Sequence, residues 1–156
     1  MMINRKLKWF TLIAFIILFL GYILLKILFQ IGINNGVKVV DLPSQSKISQ
    51  LIENADYVDA YEIGLNEPID QNKINAFAAS LGDEYFKNEN EMIVKGTAPG
   101  LTFFASFYKN SENRLTLSTV VFYENLMGMI YFTPVKIVHK NGLPYFLYKE
   151  FSKSEP

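Results

Sequence analysis

The longest apolar run of the chain lies close to its N-terminus. Residues 9–25 read WFTLIAFIILFLGYILL, seventeen positions without a single charge. As a helix this run is about 25 Å long, and an extension past Lys26 to Ile33 takes it beyond the ~30 Å of a bilayer core. Apolar side chains occupy every face, whereas a helix of a soluble domain normally keeps one polar face. The pattern therefore predicts a transmembrane anchor over residues 9–33.

The residues that flank this run predict its orientation in a membrane. Arg5, Lys6 and Lys8 precede it, and the first acid of the chain is Asp41. Segments rich in Lys and Arg stay in the cytoplasm, so residues 1–8 are predicted to form a cytoplasmic leader and the domain to lie outside the cytoplasm. The run lacks the small-x-small site of a cleaved signal peptide. We therefore expect a retained, single-pass anchor in the inner (cytoplasmic) membrane.

The remainder of the chain mixes strand and helix periods, which predicts one α+β domain over residues 37–151 and a tail over 152–156. Period-two alternation predicts a small antiparallel sheet, with strands over residues 57–65, 91–95, 101–108 and 114–123. The last two strands form a hairpin, and both of its faces carry apolar residues. The sheet is therefore either covered on both faces, or covered on one and hollow on the other.

Residues that cap helices mark the helical segments of the domain. Ser46 precedes a predicted helix over residues 47–54, and Asp70 precedes one that Gly82 closes in the left-handed conformation. Asn125 begins a third helix, which Pro134 kinks or ends.

A last short helix is predicted over residues 145–151, behind a stop at Gly142 and with Pro144 in its first turn. Its aromatic residues alternate with lysines, a pattern that membrane interfaces also use. Packing of these aromatic residues onto the sheet is the stronger expectation.

Composition and charge exclude several classes of function. The 15 basic and 15 acidic residues balance, but residues 1–33 hold four bases and no acid, and residues 34–156 hold eleven bases and fifteen acids. An acidic domain argues against a nucleic-acid partner. The chain has no Cys and one His, and it lacks a phosphate-binding glycine loop. Disulfides, thiolate or two-His metal sites and cysteine nucleophiles are therefore not predicted, and neither is a cofactor.

Several short motifs together resemble an uncharacterised bacterial family, domain-of-unknown-function family 2867, over Leu42 to Tyr148. The motifs are an LP-x-x-S entry, an AD-aromatic-x-DA-aromatic strand, a short E-x-x-x-x-G strand, a T-x-V strand and a G-x-x-Y…P…H-basic helix. In this sequence they correspond to Leu42, Pro43 and Ser46; Ala55, Asp56, Tyr57, Asp59, Ala60 and Tyr61; Glu91 and Gly96; Thr119 and Val121; and Gly128, Tyr131, Pro134, His139 and Lys140.

This resemblance implies no activity and no catalytic residue. Its layout is similar to START-like, helix-grip domains, in which a curved sheet wraps a long C-terminal helix around an apolar cavity. Such a fold would place a lipid or another apolar small molecule against side chains of the sheet and the helix. The predicted ligand-binding residues are Tyr57, Asp59, Tyr61, Phe103, Phe107 and Tyr131.

Two titratable residues are candidates for chemistry. Asp59 interrupts the apolar odd-numbered face of the strand over residues 57–65, so it either points inward, where it needs hydrogen bonds or a cation, or turns to solvent at an edge or bulge. An inward Asp59 is a structural acid, a ligand-orienting group or a general acid. His139, beside Lys136 and Lys140, is either a partner of a helix dipole or a catalytic residue.

Three functional hypotheses follow from these observations. The first is a membrane-anchored, non-enzymatic module that binds a lipid or another apolar small molecule. The second is a structural or partner-binding subunit of an envelope complex. The third is an enzyme that uses Asp59, alone or together with His139.

Overall fold

The computed structural model describes residues 2–152, with side chains from residue 9 onward. Most of the predicted tail, residues 153–156, therefore lies outside the described residues, as do the side chains of the predicted leader. The elements are α1 (Met2–Asn34), β1 (Val37–Val39), a 3-10 turn (Ile48–Gln50), β2 (Tyr57–Gly64), α2 (Gln71–Leu81), β3 (Asp83–Lys87), β4 (Glu91–Ala98), β5 (Leu101–Ser111), β6 (Arg114–Tyr123) and α3 (Leu126–Phe151).

The six strands form one antiparallel sheet in the order β1-β2-β6-β5-β4-β3. Strands β3 to β6 follow one another as a meander, and β2 pairs with the far edge of that meander at β6. The predicted α+β class is confirmed: an apolar N-terminal helix, an antiparallel sheet and a C-terminal helix.

The apolar N-terminal helix is present as predicted. Over Trp9–Asn34 it is long and apolar enough to cross a membrane, and its apolar stretch is exposed. Its C-terminal part meets the domain: Phe29 packs against the core, and Gly32 lies so close to the backbone of Pro144 in α3 that a Cβ at this position would collide with it.

One face of the sheet packs against α2 and α3 through two apolar clusters. The larger cluster lies under α2 and the C-terminal half of α3, with Tyr61, Ile74, Phe107, Leu117, Leu147 and Phe151 among its buried members. The smaller one lies under the N-terminal half of α3 and consists of Tyr57, Leu101, Val121 and Phe132, with Phe103 and Val135 packed against it. The C-terminal aromatic Phe151 therefore belongs to the core, in agreement with the stronger expectation.

The opposite face of the sheet is covered by the segment that connects β1 to β2. Ile48 from this segment packs on Ile93 and Val120 in a third cluster. The sheet is thus covered on both faces, the first of the two predicted arrangements.

The predicted helix over residues 47–54 is wrong, because this segment forms a single 3-10 turn. Ser46 still precedes it: its hydroxyl donates to the carbonyl of Pro43 and its oxygen accepts the N–H of Ser49 at 3.4 Å, which is the bond of a cap. The carboxylate of Glu91 accepts the N–H groups of Lys47 and Ile48 and the hydroxyl of Ser106. A buried acid from β4 therefore accepts the first N–H groups of this segment, which have no partner within a helix.

The helix α3 is one continuous element, not the two helices that its prolines predicted. A proline cannot donate to the carbonyl four residues earlier, which for Pro144 is that of Lys140. The hydroxyl of Tyr61 donates to this carbonyl at 3.2 Å. The sheet therefore supplies a hydrogen bond that the helix lacks. At its N-terminus, the Asn125 side chain caps α3 as predicted, accepting the N–H of Met127 at 2.9 Å.

The region between α2 and β4 differs from the sequence expectation in two ways. Asp70 caps α2 as predicted, accepting the N–H of Asn72 at 2.8 Å. Gly82, however, is extended, with φ of 170°, and a glycine is needed there because a Cβ would collide with the carbonyl of Lys95. The strand β3 has no counterpart in the predictions, since its exposed positions lack an apolar alternation.

Candidate functional site

Asp59 lies in a cross-strand row that leaves room above the sheet. In the register of the sheet, Asp59 on β2 pairs with Thr119 on β6, and Thr119 pairs with Ala105 on β5. Paired residues point to the same face. A short carboxylate, a threonine and an alanine therefore occupy this row, while larger apolar residues fill the rows on either side.

The imidazole of His139 enters the space above this row from α3. Its Nδ1 lies 3.2 Å from Oδ2 of Asp59, within ion-pair distance, and its Nε2 lies 3.5 Å from the hydroxyl of Thr119. The three side chains thus form a hydroxyl–imidazole–carboxylate series across two strands and one helix. We call these residues, together with Tyr57, the Asp59 cluster.

Tyr57 closes the cluster on its apolar side. Its hydroxyl donates to Oδ2 of Asp59 at 2.5 Å, and its ring meets that of Phe132 edge to face at 5.2 Å. The ammonium of Lys136 lies 4.9 Å from the centre of the Tyr57 ring, which is the geometry of a cation–π contact. Burial, and then the adjacent Asp59 carboxylate, raises the pKa of Tyr57 far above its ordinary value.

Part of the polar surface in the cluster has no partner. The side chain of Asp59 is 10% exposed and that of His139 is 24% exposed. Among the described residues, neither Oδ1 of Asp59 nor Nδ1 of His139 forms a hydrogen bond. Buried polar atoms nearly always have a partner in native proteins. Because Nδ1 of His139 faces Oδ2 of Asp59 at ion-pair distance, Oδ1 of Asp59 is the acceptor of this pair that lacks a hydrogen bond.

Tyr61 is the next inward residue of β2 and lies between the cluster and the larger apolar core. It is 1% exposed. Burial, and then the charge of Asp59, raises the pKa of its hydroxyl above the ordinary range. The protonated hydroxyl of Tyr61 donates to the backbone carbonyl of Lys140 in α3. Tyr61 therefore holds α3 in place above the Asp59 cluster.

The structure brings together some of the sequence-predicted site residues and separates others. Tyr57, Asp59 and His139 are in contact, and Phe103 packs beside Tyr57 in the smaller apolar cluster. Phe107 lies in the larger core, where it meets Phe77 edge to face.

Tyr131, in contrast, is 44% exposed on α3. Tyr131 therefore does not lie with the other predicted ligand-binding residues, because it points away from the sheet.

Sequence reasoning did not assign Thr119 and Lys136 to the site. Thr119 is placed there by the pairing of β2 with β6, in which it lies opposite Asp59 although the two residues are about sixty positions apart in the chain. Lys136 is placed there by the path of α3 over β2. A local pattern carries no signal for either contact, although spacing alone puts Lys136 and His139 on one side of a helix.

Two open clefts elsewhere on the domain have polar linings. One, of about 650 Å³, lies where α1 ends and includes Asn35, Asp70 and Tyr148. The other, of about 820 Å³, lies beside the β5–β6 turn and includes Glu89 and Glu112. Neither includes a member of the Asp59 cluster. Within residues 9–152 no group of three or more His, Asp or Glu side chains is arranged to hold a metal ion.

Comparisons of the chain with protein-family models, with curated proteins and with solved structures found no match. The resemblance to domain-of-unknown-function family 2867 therefore stays a prediction. The geometry of the Asp59 cluster is the basis for a functional assignment.

Proposed function

We propose that the protein is a membrane-anchored, non-enzymatic module that binds a lipid or another largely apolar small molecule at the Asp59 cluster. The anchor is α1, in a single pass through the inner membrane with its N-terminus in the cytoplasm. The binding domain is of the helix-grip type, with α3 as the gripped helix. The element order supports this fold, since β2 is followed by a helix, a four-stranded meander and the long C-terminal helix.

The observation that carries the proposal is the unpaired oxygen Oδ1 of Asp59 in a cluster bordered by apolar side chains. A carboxylate oxygen accepts hydrogen bonds, so the ligand group that meets it is a donor, such as a hydroxyl. The apolar part of the same molecule would pack against the cluster of Tyr57 and Phe132. A hydroxyl-headed amphiphile fits this pairing better than a fatty acid, whose carboxylate would meet the like charge of Asp59.

Native mass spectrometry of the full chain, extracted in mild detergent and incubated with a monoacylglycerol, tests this proposal. We expect a stoichiometric adduct with the parent chain and loss of that adduct with Asp59→Ala. Glu62→Gln is the matched control, because Glu62 lies on the same strand but is bonded to Arg114 and Asn110 on the other face. An adduct that survives Asp59→Ala, or a parent chain that takes up a fatty acid equally well, contradicts the proposal.

A second candidate function is acyl transfer or hydrolysis, favoured by the order of Thr119, His139 and Asp59. One imidazole nitrogen faces a hydroxyl and the other faces a carboxylate, which is the arrangement of a nucleophile, a general base and an orienting acid. Thr119 is only 6% exposed, and His139 does not hydrogen bond to Asp59. These two facts make binding the better-supported function. Esterase activity that Thr119→Val abolishes would reverse this order.

A further inference from the structure

The outward surface of α3 over Leu126–Val138 is apolar and exposed. Seven large apolar residues of this half-helix are between 44% and 65% exposed: Leu126, Met127, Met129, Ile130, Tyr131, Ile137 and Val138. Its only charged residue is Lys136, whose ammonium lies over the Tyr57 ring. The hydroxyl of Thr133 donates to the carbonyl of Met129 at 2.8 Å, so the helix itself satisfies it. An exposed apolar surface of this kind marks an interaction site.

This apolar surface continues the face of α3 that α1 covers. Steps of three and four residues lead from Leu126 through Ile130, Pro134, Ile137 and Asn141 to Pro144, which places them on one stripe of the helix. Pro144, at the end of the stripe, is in contact with Gly32 of α1. The spanning helix thus covers the C-terminal part of the stripe and leaves the N-terminal part open.

The two helices run in the same direction. Gly32 meets Pro144, and three residues later Asn35 shares a cleft with Tyr148 and Ser152, beyond Pro144 on α3. Residue numbers therefore increase together along both helices. The N-terminal half of α3 points the same way as the apolar, N-terminal part of α1.

When α1 and α3 are aligned at the contact between Gly32 and Pro144, their lysines lie at the same height along the helix axes. Their uncharged stretches then also lie side by side. With equal rise per residue, Lys26 of α1 is level with the stretch between Lys136 and Lys140 of α3. On the N-terminal side of this level, residues 9–25 of α1 and residues 126–135 of α3 contain no charge, and on the α3 side the uncharged stretch ends at Glu124, just before the helix begins. Lysines beside an apolar zone are the arrangement found at the headgroup boundary of a bilayer.

We infer that the outward face of α3 over Leu126–Val138 contacts lipid acyl chains beside α1, so that the domain is partly embedded in the bilayer surface. The inference rests on the proposed membrane anchoring, and it is independent of the ligand proposed for the Asp59 cluster. The occupant is the bilayer because the exposed surface is continuous with that of the spanning helix and ends at the same lysine level.

Site-specific fluorescence quenching tests this contact, and the absence of Cys from the chain makes every introduced cysteine unique. The full chain carries a bimane label at Ile130→Cys and is reconstituted into vesicles of phosphatidylcholine and phosphatidylglycerol, with acyl-chain-brominated phosphatidylcholine as the quencher. Leu18→Cys is the matched control for anchoring, because it is 73% exposed and level with Ile130. Glu112→Cys, in the exposed β5–β6 turn, is the control for water.

We expect the label at Ile130 to lose a fraction of its fluorescence comparable with that lost at Leu18, and the label at Glu112 to lose none. Quenching at Leu18 without quenching at Ile130 overturns the inference and leaves the anchoring intact. Absence of quenching at both positions overturns the anchoring and the inference together. If the labelled chain is unquenched and the unlabelled Ile130→Cys chain forms a disulfide-linked dimer when an oxidant is added, a second copy is the occupant, which also overturns the inference.

Discussion

The carboxylate of Asp59 is held between a phenol and an imidazole that come from two different elements. The Tyr57 hydroxyl donates to Oδ2 from two residues away on the same strand, and His139 approaches the same oxygen at 3.2 Å from α3. Because Tyr57 is 7% exposed, its ionised form would be desolvated and would face a like charge. The protonated phenol is therefore the form that this environment stabilises.

At the residue scale, Tyr57→Phe should weaken the dependence of stability on alkaline pH. In the unfolded chain the phenol ionises near pH 10, whereas in the folded chain the raised pKa of Tyr57 keeps the proton bound. The contribution of Tyr57 to the free energy of unfolding is therefore constant below about pH 10 and falls by up to about 1.4 kcal/mol per pH unit above it. In the Tyr57→Phe variant, the free energy of unfolding should lack this decrease above about pH 10.

Thermal unfolding of the full chain in detergent, followed by circular dichroism between pH 8 and pH 11, measures the difference. Tyr85→Phe, at a tyrosine on β3 that is 49% exposed, is the matched control and should follow the parent. A Tyr57→Phe chain whose melting temperature falls as steeply as that of the parent above pH 10 would contradict the prediction.

At the scale of elements, close packing joins the apolar N-terminal helix α1 to the domain. Gly32 of α1 lies against the backbone of Pro144 in α3, an approach that only a residue without a Cβ permits. The same α3 is held from the sheet side by the bond from Tyr61 to the carbonyl of Lys140. The helix is therefore fixed on two sides of its proline-containing turn, which explains why it continues through Pro144.

Gly32→Ala should separate α1 from α3, and Gly21→Ala should not. The added methyl at Gly32 overpacks the contact and is expected to destabilise the domain by about 1–3 kcal/mol. The same methyl at Gly21 meets nothing within 4 Å, and the higher helix propensity of alanine should leave stability unchanged or raise it by up to about 1 kcal/mol. Melting temperatures of the two full-length variants in one detergent compare them, and equal effects would contradict the prediction.

At the scale of the whole molecule, charge differs between the N-terminal residues 1–33 and the rest of the chain. Four bases and no acid lie in residues 1–33, whereas acids outnumber bases in residues 34–156. Within the domain, Glu89 and Glu112 lie in the cleft beside the β5–β6 turn, whereas Asp56 and Glu124 lie next to the N-terminal end of α3. The acids of the domain are therefore not confined to one side.

The proposed orientation predicts that a cysteine at Glu112 is accessible from outside the cytoplasm. In spheroplasts that express the Glu112→Cys chain, a membrane-impermeant maleimide should label the protein without permeabilisation. The parent chain, which has no Cys, gives the background. Labelling that appears only after the membrane is permeabilised would reverse the orientation.

The local parts of the fold could be read from the sequence. Apolar periodicity predicted α1, β2 and the β5–β6 hairpin, and side chains able to accept backbone N–H groups predicted the N-termini of α2 and α3 at Asp70 and Asn125. Each of these features depends on residues that are near neighbours in the chain. The failed predictions involve residues that are far apart in the chain: the carboxylate of Glu91 accepts the N–H groups of Lys47 and Ile48 where a helix was predicted, and the hydroxyl of Tyr61 donates to the carbonyl that Pro144 cannot reach.

The sequence by itself determined that this protein has a spanning-length apolar helix and an acidic α+β domain, and it singled out Asp59 without deciding whether this acid faces inward or toward solvent. Those properties follow from composition and from periods of two and 3.6 residues, which a single chain displays directly. Only the tertiary structure decided that Asp59 meets His139 and Thr119, that Tyr131 faces outward and that the open half of α3 lies beside α1. The physical reason is that these contacts arise from strand pairing and helix packing between segments some sixty to more than one hundred residues apart, where local pattern carries no information.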